Sequence, residues 1–208
     1  MHPTTEVRWF WQGNASTEMR RWFEDETIPP TAEVREDWYL SSADQASLGI
    51  KLRAANLEIK QRLHNAGIHQ LAQSAHGQLE TWVKWEFSLD AESGYLPQFS
   101  QSDGFWIMVK KERFSRYYSI EDQRQIAPIE APAQAKRGCT LELTELKVWN
   151  QEWHSLGLET FGEFEQPNQV LKQVIQCTFA DCNLVLHATH SFGYPRWLQE
   201  IVSCPTNH

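Results

Sequence analysis

Polar and apolar positions alternate along much of this chain, and the alternation predicts mostly strands. Residues 6–12, Glu-Val-Arg-Trp-Phe-Trp-Gln, alternate weakly and are β-prone, which predicts a first strand. Gly13-Asn14 breaks it. Ser16 is placed to cap a short helix to about Asp25, with Met19, Trp22 and Phe23 on one face. Pro29-Pro30 ends that element, and a second strand runs near Val34–Ser41. Residues 48–54 and 56–63 predict a hairpin joined through Ala54-Ala55-Asn56. The His- and Gln-rich stretch 64–76 reads as a loop, 78–89 as a long strand, and 90–104 as another loop. Further on come a strand over 105–118, a surface connection over 121–138, and two strands over 139–149 and 153–162. Pro167 opens a helix to about Ala180, with Val170, Val174 and Ile175 on its apolar side. The stretch from Leu184 to Val202 reads as short apolar pieces interrupted by Gly193 and Pro195. About eight strands against two or three helices define the α+β class with a largely antiparallel sheet.

Charge falls inside these strands. Lys51 and Arg53 are two residues apart and share a face, as do Glu58, Lys60 and Arg62 on the next strand. Glu80, Lys84 and Glu86 share a face with Trp82 between them. Lys111 and Arg113 share another, while Lys110 falls on the opposite face with Arg116. The complementary faces hold Ile50 and Leu52, then Leu57, Ile59 and Gln61, then Val83, Trp85 and Phe87. Two arrangements satisfy this pattern. A solvated outer sheet face carries alternating charges routinely. The other arrangement is a barrel with a water-filled polar lumen, because unpaired ions in a dry interior are costly. Its apolar faces then look outward under helices. Such a lumen suits a polyanion gripped by bases, with carboxylates holding a divalent metal.

Composition narrows the classes. At 208 residues the chain suits one domain with a sizeable core. Ten Trp, ten Phe and five Tyr exclude general disorder. A net charge of −8 argues against a binder of duplex nucleic acid. Residues 51–116 nevertheless carry nine Lys or Arg and seven Asp or Glu, against ten and twenty elsewhere, so basic charge concentrates in the middle strands. No apolar run is long enough for a spanning helix, so no membrane partner is expected. Met1–Trp11 has no basic end leading into an apolar run, so no secretory leader is expected. Cys139, Cys177, Cys182 and Cys204 match no zinc spacing and are too sparse for a disulfide scaffold. Free thiols and a cytoplasmic location are the expectation. Glycine-rich nucleotide motifs and the G-x-S-x-G elbow are absent from the sequence.

Several pieces fall in a telling order. A strand begins at Glu6 (Glu6-Val-Arg-Trp-Phe) and a helix follows. Then come Arg35-Glu-Asp37-Trp-Tyr39-Leu, Gly49-Ile-Lys51-Leu-Arg53 and Glu58-Ile-Lys60-Gln-Arg62. Lys110, Lys111 and Arg113 mark a later basic strand, and Glu142 or Glu145, then Leu158-Glu159, mark late acidic ones. This order and character resemble the CYTH superfamily, the triphosphate tunnel metalloenzymes, over roughly residues 6–180, with 181–208 as the tail of a single domain 1–208. The resemblance implies an α+β fold built on an eight-stranded antiparallel β-barrel, open along its axis as a tunnel, with a few helices packed outside. It implies a small phosphorylated anion as ligand, such as tripolyphosphate, thiamine triphosphate or a nucleotide. It also implies Mg or Mn on glutamates, and phosphohydrolysis or adenylate cyclisation as activity. The family's first-strand signature is Glu-x-Glu-x-Lys, whereas this chain reads Glu6-x-Arg8-x-Phe10. A cation at Arg8 repels a metal and suits a phosphate.

Arg53, Lys60 and Arg62 lead the candidates for phosphate contact, followed by Lys51, Lys84, Lys111 and Arg113, with Arg8 beside them. Glu58, Glu86 and Glu159 are the catalytic candidates, and Glu6, Glu145 and Glu159 the metal-ligand candidates. Glu142 and Glu145 fall on opposite faces, so at most one looks inward. Trp9, Trp38 and Trp82 are core candidates that stack on a base only if they face a tunnel. Two functions follow: a divalent-metal-dependent triphosphate phosphohydrolase, or a non-catalytic binding or interaction protein on the same barrel.

Overall fold

The computed structural model describes residues 3–25, 27–41, 45–89, 106–121, 125–180 and 182–203. Its strands are β1 (Thr4–Gln12), β2 (Thr31–Leu40), β3 (Leu48–Arg53), β4 (Asn56–Ala72), β5 (Ala75–Ser88), β6 (Trp106–Glu121), β7 (Gln125–Ile129), β8 (Gly138–Val148) and β9 (Gln151–Phe161). Its helices are α1 (Thr17–Glu24), α2 (Pro167–Thr178) and α3 (Tyr194–Ser203). Eight strands form a ring in the order β2-β3-β4-β5-β1-β9-β8-β6, and β6 closes it by pairing with β2 from Thr31↔Ser115 to Leu40↔Trp106. The pairings are antiparallel throughout. The short β7 pairs with the far end of β6. Every strand of the ring thus has a partner on both sides, although β2 meets β3 only at Trp38 and Tyr39 and β1 meets β5 only over Thr4–Glu6. The eight-stranded antiparallel barrel that the resemblance implies is therefore present, and of the two arrangements open to the strand pattern it is the barrel.

Helices α1 and α2 pack outside, on the outward faces of the strands. Ser16 caps α1 by accepting from the Met19 backbone N–H at 3.1 Å. Met19 and Phe23 of α1, and Val170, Leu171, Val174 and Ile175 of α2, are buried with Val7, Trp9, Leu141, Leu156 and Leu158. Each large apolar side chain buried in this way contributes about 1.5–3 kcal/mol. Trp9 thus belongs to the outer core, not to the lumen.

Three expectations are corrected. The segment 64–76 is not a loop: β4 continues to Ala72 and β5 begins at Ala75. Its pairing carries register shifts at Arg62/His64, Asn65/Gly67 and Gln70/Ala72, and these bulges erase the two-residue alternation that marks a strand. The connection 121–138 contains β7. The stretch after Leu184 holds a helix, α3, which the sequence reading broke at Gly193 and Pro195. The predicted loop 90–104 lies outside the described residues, as does Cys204.

The placement of α3 shapes the lumen. β1 and β5 pair only over Thr4–Glu6. Beyond that point the incoming chain lies beside β1, with a Trp9↔Ser191 bridge and the Phe192 N–H donating to the Arg8 carbonyl at 3.0 Å. At Gly193 it passes close to the lumen wall, where a Cβ would lie 2.9 Å from both Glu80 Oε2 and Trp82 Cζ2. Helix α3 then buries Trp197, Leu198 and Ile201 against Phe10, Ile107, Val109, Leu146 and Val148. These five share the lumen face of their strands with Arg8, Lys111 and Glu142. Phe10 stacks on Trp197 at 5.2 Å and on Phe192 at 5.5 Å. One end of the barrel is thus stopped by an aromatic plug, so two of the three helices pack outside and one packs within.

Candidate anion-binding site

The lumen above the plug is a cavity of about 510 Å³, lined from all eight ring strands and by Tyr194 and Pro195 of α3. Alternation along each strand places its charges. β1 points Glu6 and Arg8 inward, β3 points Lys51 and Arg53, β4 points Glu58 and Lys60, and β6 points Lys111 and Arg113.

Asp37 of β2 is fully buried at the centre of a cationic cluster. Lys111 Nζ lies 3.0 Å from its carboxylate, Arg53 Nε 3.3 Å, Arg35 Nε 3.5 Å and Lys51 Nζ 3.9 Å. Burial pushes the Asp37 carboxyl up, but Lys111, Lys51 and Arg35 outweigh it and hold it well below the usual range. The lysines show the complementary strain. Burial, against the pull of Asp37 and with repulsion from nearby cations, lowers Lys111 to about 7 and Lys51 to about 8. Lys111 donates to Tyr39 Oη at 2.5 Å and sits 4.0 Å from the centre of the Tyr194 ring. Glu58 adds a second carboxylate, 3.0 Å from Lys51 and hydrogen-bonded by Arg53.

A second node is Glu142, which accepts from Arg8 at 2.7 Å and Arg113 at 2.8 Å. Burial pushes its carboxyl up, but the two guanidinium groups bring it down to about 2. Gly157, opposite both Arg8 and Glu142, makes the room: a Cβ there would lie 2.6 Å from Arg8 Cζ. Arg8 Nε and Arg113 Nε are buried without a hydrogen-bond partner among the described residues. A third node joins Lys60 to Glu6 at 2.5 Å and to Glu159 at 3.1 Å.

The structure therefore gathers Arg8, Lys51, Arg53, Lys60, Lys84, Lys111, Arg113, Glu6, Glu58 and Glu159 around one cavity. Arg62 lies on the same face, paired with Glu80 at 2.5 Å. Trp82 faces the lumen, with Lys60 and Arg62 near its ring at 5.7 and 5.8 Å. Two candidates lie elsewhere. Glu145 points outward and accepts from Arg20 at 2.6 Å and from the Ala15 N–H, so Glu142 takes the inward place on β8. Glu86 is half exposed at the rim, 3.5 Å from Lys84. Sequence reasoning did not assign Arg35, Asp37 and Tyr39 to the site, although their two-residue spacing on β2 carried the signal. Tyr194 had no such signal, because its place depends on how α3 enters the barrel.

A divalent metal fits these residues poorly. Glu6 and Glu159, the expected ligands, already share the Lys60 ammonium. Glu145 is on the wrong face. Among the described residues no cluster of three or more His, Cys, Asp or Glu side chains is arranged to hold a metal.

The fold and site define a closed antiparallel β-barrel with a charged, cation-lined lumen. No family model matches the chain, and no curated protein matches it by sequence. Among solved structures it is similar to the PH1819 protein of Pyrococcus horikoshii OT3, at 11% identity and a TM-score of 0.49, over 97% of this chain and 99% of that one. It is also similar to the PH1012 protein of the same organism, at 15% identity and a TM-score of 0.48, over 94% and 98%. A Bacillus halodurans protein described provisionally as an adenylate cyclase matches at 16% identity and a TM-score of 0.39, over 88% and 95%. The chemistry of the site rests on this chain's own residues. No helix among the described residues is long and apolar enough to cross a membrane.

Proposed function

We propose that this chain is a CYTH-like tunnel protein whose lumen binds a small phosphorylated anion, and that it acts as a binding protein at that site. The observation that carries this reading is the cluster at Asp37, where four cations converge on one buried carboxylate. Glu58 also pairs with Lys51 and Arg53, and Glu33 with Arg35, so the cluster holds four cations against three carboxylates, and a phosphate chain supplies the missing negative charge. Lys and Arg are the side chains that suit it, Lys as a point charge and Arg by paired N–H donors. A cavity of about 510 Å³ falls within the usual size of small-molecule sites.

Thermal-shift titration with tripolyphosphate tests the proposal, with thiamine triphosphate and ATP as parallel probes. A ligand at a hundred times its Kd stabilises by about 2.7 kcal/mol, which raises Tm by roughly 5–10 °C for a chain of this size. The expected result is a saturable rise that Lys111→Met and Lys51→Met weaken. Absence of a rise with any of the three anions would overturn it. Steady phosphate release from a bound triphosphate would move the chain from binder to phosphohydrolase.

A further inference from the structure

We propose that Lys60 is the resident cation of this site, so that the lumen takes its phosphorylated anion without a divalent metal. The inference deepens the reading above and rests on it.

Glu6 and Glu159 are directly opposite each other across the β1–β9 pairing. Facing side chains in such a pair lie close, so two carboxylates there repel unless a cation stands between them. Lys60 supplies that cation from β4. Its Nζ lies 2.5 Å from Glu6 Oε2 and 3.1 Å from Glu159 Oε1. Thr4 Oγ1 donates to the same Glu159 oxygen at 2.7 Å. A magnesium ion would need those oxygens about 2.0–2.1 Å away in a near-octahedral shell. The ammonium fills the space such a shell would use. Burial acts to strip the Lys60 proton, but Glu159 and Glu6 outweigh it and hold its affinity for the proton well above the ordinary value, while burial and the facing Glu159 keep the Glu6 carboxyl above its own ordinary value in spite of Lys60.

The other inward carboxylates are committed in the same way: Glu80, opposite Glu6 on β5, is paired with Arg62 at 2.5 Å, and Glu33 with Arg35 and Arg113. Glu58 is paired with Lys51 and Arg53, Glu142 with Arg8 and Arg113, and Asp37 with the central cluster. The ammonium keeps a role toward the ligand as well. It carries three N–H donors, of which the two glutamates take two, and Lys60 lines the cavity. The charge a metal would bring to a phosphate is thus covalently part of β4.

The test uses the full chain with two readouts. Calorimetry measures tripolyphosphate binding in EDTA, and electron paramagnetic resonance measures binding of Mn²⁺ alone. For the wild type we expect tripolyphosphate binding in EDTA and no Mn²⁺ signal that Glu159→Gln removes. For Lys60→Ala we expect binding in EDTA to weaken by at least about tenfold. We also expect a new stoichiometric Mn²⁺ site. Tripolyphosphate binding that requires Mn²⁺ in the wild type would overturn the inference while leaving the anion site intact. A wild-type Mn²⁺ site lost in Glu159→Gln would also overturn it, whether or not Lys60→Ala folds. If tripolyphosphate fails to bind with or without Mn²⁺, the anion reading itself falls. The Mn²⁺ measurement then still decides the role of Lys60, since a site gained in a folded Lys60→Ala supports it and none gained refutes it.

Discussion

Lys111 and Lys51 are where burial and charge compete most directly. Lys111 is nearly inaccessible, faces two aromatic rings and Asp37, and is lowered to about 7 against an ordinary value of 10.5. Between those two values the unfolded chain binds more protons at this position than the folded one. Without ligand, stability contributed here therefore rises as pH rises through that interval. Anion binding has the opposite sign, because it favours the charged ammonium. We expect tripolyphosphate affinity to fall as pH is raised from about 7 to 9, with proton uptake on binding measurable by calorimetry in buffers of different ionisation enthalpy. A pH-independent affinity would remove these lysines from the site. Gly157 gives a second prediction at this scale. Gly157→Ala places a methyl on the Arg8 guanidinium, so it should lower stability by about 1–3 kcal/mol and weaken anion binding. Denaturant unfolding and titration of the variant check both. The inward set on β3, β4 and β6 was legible because side chains two apart share a face. The choice between Glu142 and Glu145 was not, because a strand offers both faces equally until its register is set.

At the scale of elements, α3 is the largest departure from the sequence reading. Tyr194, Trp197, Leu198 and Ile201 fall at helical spacing, and a proline in the first turn is compatible with a helix start. Gly193 and Pro195 nevertheless read as breakers, because helical spacing over ten residues competes poorly with two turn residues. What stabilises α3 is its burial in the barrel end, which local propensity does not report. Trp197→Ala should therefore cost about 3–5 kcal/mol, as expected for an aromatic removed from a packed core. Trp197→Phe should cost far less, since the indole Nε1 has no hydrogen-bond partner among the described residues. Urea unfolding of both variants separates the two effects, and equal losses would argue against an aromatic plug. The far half of the β4–β5 hairpin lacks a strand pattern for a different reason. Its three register shifts interrupt the period of two, so the chain is extended where the pattern is not.

For the whole molecule, the charged lumen should dominate the response to acid. Asp37, Glu58, Glu142 and Glu159 are all held below the usual carboxylate range: burial raises each, and the lumen cations outweigh it. Carboxylates lowered in the folded state contribute stability above their unfolded values and lose it as pH falls through the folded ones. We expect stability followed by circular dichroism to decline from about pH 4.5, with the share owed to Glu142 lost only toward about 2. Glu142→Gln should remove that last part of the acid dependence and destabilise at neutral pH, because Arg8 is left buried without its partner. Flat stability across that range would mean that the lumen pairs contribute little.

By itself, the sequence determined which side chains share a face, where α1 and α2 begin, and that basic charge gathers in the middle strands. Those properties follow from the period of the strand, from capping and from composition, all of which are local. Only the tertiary structure decided that the charged face looks inward, that α3 stops one end of the lumen, and that Lys60 meets Glu6 and Glu159. Each of these depends on how the sheet curls into a ring: the β4-β5-β1-β9 run brings Lys60 to partners 54 and 99 residues away, and β2 joins β6 to close it. A period of two sorts side chains into two sets, and it takes the closed barrel to say which set shares the lumen.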